Sequence, residues 1–152
     1  MRVQMWRLAA RLVRPGLGPD PDQAIRLACD LIVRGLDTPA AVSVAALSYG
    51  TTLRDAGPLI RDMLTEQGIP LPGEDATDDE RLGFMIRGFA NGGLDYGEFF
   101  TAFIGAVPRW EDQDESQREI VRLINALDEE TGPEARARVI ASMRAAAAGC
   151  DG

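Results

Sequence analysis

The sequence predicts an all-α protein: a compact bundle of about six to seven short helices preceded by an N-terminal amphipathic arm. Three observations lead there. Apolar residues recur at helical spacing, and no segment alternates with period two or forms a strand-length β-branched run. Helix starts are written as Asp or Thr followed by proline, or by Glu or Gln three residues on. The composition, 45% hydrophobic and 26% charged over 152 residues, is that of a folded domain. A domain of this size buries roughly 68–70% of its unfolded surface, enough for a core without disulfides.

Residues 1–14 form the arm. Met5, Trp6, Leu8, Ala9, Leu12 and Val13 share one face at helical spacing; Gln4, Arg7, Arg11 and Arg14 share the other. Pro15, Gly16, Gly18 and Pro19 break that helix, so residues 15–20 read as a linker and residues 21–149 as one helical domain. Asp20-Pro21-Asp22-Gln23 caps the next helix and Gly35 closes it. Within it Arg26, Asp30 and Arg34 stack as a solvated stripe opposite Ile25, Ala28, Leu31 and Ile32. Cys29 lies near the apolar face, where cysteine behaves as a small hydrophobe.

Thr38-Pro39 opens a short helix to about Leu47. A further helix spans about Leu53 to Gln67 and stops at Gly68. The proline-rich segment 69–76 is a loop. Thr77 and Glu80 form a capping box for a helix to about Ala90, and Asp95 and Glu98 another after the Asn91-Gly92-Gly93 turn. Tyr96, Phe99, Phe100, Phe103, Ile104 and Val107 make a wide apolar face, with Phe100 at its centre as an expected core residue whose truncation would cost about 3–5 kcal/mol. Ile120, Leu123, Ile124 and Leu127 line one side of a helix from about Asp114 to Asp128. Thr131-Gly132-Pro133-Glu134 opens the last helix and Gly149 stops it.

Composition removes several chemistries. The chain has no histidine, and its sixteen basic residues are all arginine. The usual general base, the imidazole metal ligand, the Schiff-base amine and the phosphate-gripping lysine are therefore missing. Ser43, Ser48, Ser116 and Ser142 have no base to activate them. The net charge of −8 argues against a general nucleic-acid binder. That charge is uneven: residues 1–14 carry four arginines and no acid, while the rest carries twelve arginines against twenty-four acids. No apolar run approaches the roughly 20 residues of a membrane-spanning helix, and no signal-peptide pattern is visible. Cys29 and Cys150 read as reduced thiols in a cytoplasm.

The turn Asn91–Glu98 resembles the second half of an EF-hand loop. Arg87 and Phe89 stand where the first carboxylates belong, so no calcium site is expected and the acids are read as caps. Acidic runs at 74–80, 111–115 and 128–130 read as solvated surface, mostly at loops or helix starts. No catalytic residue, metal ligand or cofactor is expected. Trp110, following Pro108-Arg109 and preceding Glu111, Asp112, Asp114 and Glu115, is the plausible interaction anchor. On the arm, Trp6, Arg7, Arg11 and Arg14 are the candidates for contacting a partner. Docking of the arm on the body through its apolar face is favoured, and weak attachment to an anionic membrane is the remaining option.

Residues 28–40, Val44–Leu47 and Met63–Ile69 look like stretches of small helical proteins of high-GC bacteria, most of them uncharacterised and some suspected immunity or defence partners. The resemblance implies an all-helical fold and carries over no functional residue. The expected function is a non-enzymatic acidic module that binds a basic protein partner, as an adaptor or immunity-like protein. A carboxylate-dependent enzyme and a subunit of a homo-oligomer are the alternatives.

Overall fold

The computed structural model describes residues 1–14 and 18–149; the linker residues Pro15, Gly16 and Leu17, and Cys150, lie outside the described residues. Among the described residues the chain is all-α, with eight α-helices, one 3-10 turn and no strand. The 3-10 turn, at Trp110–Asp112, is an addition to the elements expected from sequence. The chain divides into two compact units, Met1–Asp75 and Ala76–Gly152. The division falls in the proline-rich 69–76 loop, inside the stretch that the sequence treats as one domain. The arm belongs to the first unit.

The first unit contains α1 (Arg2–Val13), α2 (Pro21–Val33), α3 (Pro39–Ala45) and α4 (Leu53–Glu66). Their starts follow cap chemistry. Asp20 accepts the Asp22 N–H at 3.0 Å, Thr38 the Ala41 N–H at 3.3 Å and Thr52 the Asp55 N–H at 3.4 Å. Pro21 and Pro39 occupy first-turn positions, where an N–H would have no helical acceptor. Gly35 and Gly68 end α2 and α4 at φ +77° and +85°, which lets Leu36 and Ile69 donate back to Leu31 and Leu64. Pro58 stands inside α4, where it removes one helical hydrogen bond, and the helix continues past it.

Helix α3 packs on α2 and α4, and α1 packs on both α4 and α2. Leu31, Val44, Ile60, Met63 and Leu64 are fully buried. Polar ties reinforce this packing. The Glu66 carboxylate accepts the Ala40 N–H at the start of α3, Asp22 accepts the Gly50 N–H, and the Gln67 amide donates to the Leu36 carbonyl. Gly18 passes so close to Leu53 that a Cβ there would strike the leucine side chain.

The second unit contains α5 (Asp78–Ala90), α6 (Tyr96–Ala106), the 3-10 turn, α7 (Glu115–Glu129) and α8 (Pro133–Ala148). Three of its helices open with complete capping boxes, Thr77 with Glu80, Asp95 with Glu98, and Asp114 with Gln117. Helix α5 packs on α6 and α8, and α7 on α8. The Phe89 and Phe99 rings stack with centroids 4.2 Å apart, Phe103 continues the row at 5.4 Å, and all three are fully buried.

Three burial expectations need correction. Phe100 is 37% exposed, and Ile104 beside it is 50% exposed. The stacking of Phe99 on Phe89 fixes the rotation of α6, and Phe100 is turned about 100° from Phe99. Cys29 is exposed because α2 buries the line Ala24, Leu27, Ala28 and Leu31 instead. Ile32, one position past that line, is 36% exposed for the same reason. In α1 the buried set is Met5, Trp6, Leu8, Ala9 and Ala10, while Leu12 and Val13 are half-buried.

Candidate functional site

The expected contact residues fall into two groups, one in each unit. In the second unit Trp110 is 50% exposed on its 3-10 turn. Its position is well defined. The Arg118 guanidinium lies 5.5 Å from the ring centroid and donates to the Trp110 carbonyl at 3.3 Å. The Gln113 amide donates to the Pro108 carbonyl at 2.9 Å and closes the turn from its other end. Glu111, Asp112 and Glu115 are exposed. Asp114 is engaged in capping: its carboxylate accepts the Gln117 N–H at 2.7 Å and sets the start of α7.

Sequence reasoning missed the exposed apolar side of α6. Tyr96, Phe100 and Ile104 follow at i, i+4, i+8 and therefore share one side of the helix. The Tyr96 and Phe100 rings meet at 5.9 Å. The periodicity was visible, but an apolar helix offers no local signal for which of its sides turns inward. The Tyr96 hydroxyl is held above its ordinary range, first by burial and then by the Asp128 carboxylate, with Arg136 opposing.

The first unit treats the arm residues differently. Trp6 is only 2% exposed, so its ring is not presented for a partner. The reason is helical phase: Trp6 shares the buried side of α1 with Met5, Ala9 and Ala10. Arg7 is exposed, and Arg11 and Arg14 are half-buried. Arg7 and Arg11 border a groove of about 380 Å³ between α1 and α2. Each helix supplies one strip at i, i+3, i+4, i+7: Gln4, Arg7, Leu8 and Arg11 from α1, then Gln23, Arg26, Leu27 and Asp30 from α2. Arg26 and Asp30 keep the solvent exposure expected of the charged stripe of α2 and also line this groove.

The EF-hand-like turn is occupied by the protein itself. Arg144 from α8 donates to the carbonyls of Phe89 at 2.5 Å and Leu94 at 3.2 Å, with its guanidinium 4.3 Å from the Phe89 ring centroid. Burial lowers the pKa of this arginine from its ordinary value, and Asp95 partly offsets that. Asp95 and Glu98 close a capping box, and Gly92 takes φ +80°. Among the described residues no three His, Cys, Asp or Glu side chains gather to hold a metal, and no polar or charged residue is buried.

No family model, curated protein or solved structure matches the chain. Among the described residues no helix is long and apolar enough to cross a membrane.

Proposed function

We propose that the chain is a non-enzymatic, acidic helical module that binds a protein partner, of adaptor or immunity type in a bacterial cytoplasm. Its second unit is the binding part. The observation that carries this reading is that three large apolar side chains, Phe100, Ile104 and Trp110, are left exposed there. Acids are abundant in the same segment, including Asp95, Glu111, Asp112 and Glu115. An apolar strip among carboxylates suits a cationic amphipathic helix, whose apolar side covers the strip while its basic side meets the acids. A carboxylate-dependent enzyme would be favoured by a buried acid in a cleft, and every described Asp and Glu is exposed or half-buried.

The chain carries its own reporter. Trp6→Phe leaves Trp110 as the only tryptophan. Titrating this variant with a cationic amphipathic helical peptide should shift tryptophan emission to the blue, and added salt should weaken the response. Ile104→Asp should abolish it, and an anionic peptide of matched hydrophobicity should give none. Emission unchanged by the cationic peptide at low salt, or an equal response to the anionic one, would remove the proposal. A mass that doubles with concentration and falls back in Ile104→Asp would give the α6 strip to a second copy of the chain instead.

A further inference from the structure

The groove between α1 and α2 has a different chemistry from the α6 strip, and nothing in the proposed function uses it. Its floor is apolar, formed by Leu8 and Leu27, which are 5% and 6% exposed. Its rim carries three guanidinium groups, Arg7, Arg11 and Arg26, against the single carboxylate of Asp30. None of the three arginine side chains makes a hydrogen bond or an ion pair among the described residues. In a chain of net charge −8 the groove thus brings together three guanidinium groups with a single carboxylate. Arg7 and Arg11 are also four residues apart on one helix, a like-charge spacing that costs helix stability unless an anion intervenes.

We infer that this groove binds a small organic phosphate bearing at least two linked phosphate groups. Arginine presents a planar fork of donors that matches phosphate oxygens. Forks from both walls, Arg7 and Arg11 on one and Arg26 on the other, suit two linked phosphates better than one. The volume of about 380 Å³ admits a ligand larger than a single ion. Leu8 and Leu27 then lie against the less polar part of the ligand, and the amides of Gln4 and Gln23 offer further donors. Asp30, the one carboxylate lining the groove, repels the phosphates.

Inorganic pyrophosphate is the direct probe, titrated calorimetrically into the whole chain at low salt. It should bind more tightly than orthophosphate, and the affinity should fall steeply as salt rises. Arg26→Gln should weaken binding about tenfold or more, the usual cost of losing a charge-assisted hydrogen bond, and Arg7→Gln with Arg11→Gln should weaken it further. Asp30→Asn should tighten binding severalfold. All these positions are exposed or half-buried, so circular dichroism should show unchanged helicity in each variant. Affinities equal in all variants, or no pyrophosphate binding at low salt, would overturn the inference. Phosphatidylglycerol vesicles supply the same chemistry as a lipid headgroup. Binding to vesicles without binding to pyrophosphate would also overturn it, by giving the arginines to a membrane surface.

Discussion

The two units are both four-helix assemblies of about equal length, yet they distribute charge and aromatic side chains in opposite ways. The first carries eight arginines against nine acids, and the second eight against fifteen. Seven of the nine aromatic residues belong to the second unit; only Trp6 and Tyr49 belong to the first. In the near-neutral unit Asp20, Asp22 and Glu66 serve as caps and stitches. The acidic unit also caps with carboxylates, but a surplus remains at Glu111, Asp112 and Glu115 beside Trp110. A single net charge of −8 therefore conceals one unit that is nearly neutral and one that is strongly acidic.

The sharpest way to probe the aromatic unit is to compare two adjacent phenylalanines. Phe99→Ala should destabilise by about 3–5 kcal/mol, since a fully buried ring stacked on Phe89 is removed. Phe100→Ala should cost clearly less than that, because its ring is 37% exposed and leaves no closed cavity. Denaturant unfolding measures both. Equal losses would mean that both sides of α6 are packed and that the apolar strip is not a surface. Amide exchange in Phe99→Ala should rise in residues 78–148 more than in 21–66 if the units open separately.

A smaller effect is expected at the α8 clamp. Arg144→Leu removes the partner of the Leu94 carbonyl and one of two donors to the Phe89 carbonyl, at a cost of about 1–3 kcal/mol. Arg144→Lys should recover little, because an ammonium cannot reproduce the two-pronged geometry or stack in the same way on the ring. Full recovery by lysine would reduce the clamp to a simple charge effect.

The smallest effect is a titration. In Tyr49→Phe, Tyr96 is the sole tyrosine, and its absorbance should reach half-ionisation above pH 10.0. The folded protein then holds a proton that the unfolded chain has released. Stability from this group is complete below about pH 10 and declines as pH climbs from there towards the raised value. A midpoint at or below 10.0 would show that burial and Asp128 do not act on this hydroxyl.

Much of the fold was legible because helix caps are local chemistry. Thr77 with Glu80 and Asp95 with Glu98 identify their helix starts with no knowledge of the rest of the chain, and Gly35 and Gly68 mark two ends. Orientation was not legible. Choosing Phe99 over Phe100 required the position of α5, and the exposure of Cys29 required the contacts of α2. Of the candidate site, Trp110 and its acids could be read from a break in the helical pattern. The arginine groove could not. Arg7 and Arg26 become neighbours only through the packing of α1 on α2, and the intervening prolines and glycines do not encode a direction.

The Arg144 clamp also bears on the order of folding. The Asn91–Gly93 turn joins consecutive helices, a connection that can close within microseconds. Its carbonyls at Phe89 and Leu94 nevertheless wait for a side chain 55 and 50 residues further along. Joining them means closing a long loop, with an entropic toll that grows with its length. The hairpin of α5 and α6 is therefore local in its outline and non-local in its completion. The Gly93 N–H, which donates to the Gly88 carbonyl at 2.8 Å, belongs to the local outline, whereas the Phe89 and Leu94 carbonyls gain their Arg144 donor only when α8 arrives.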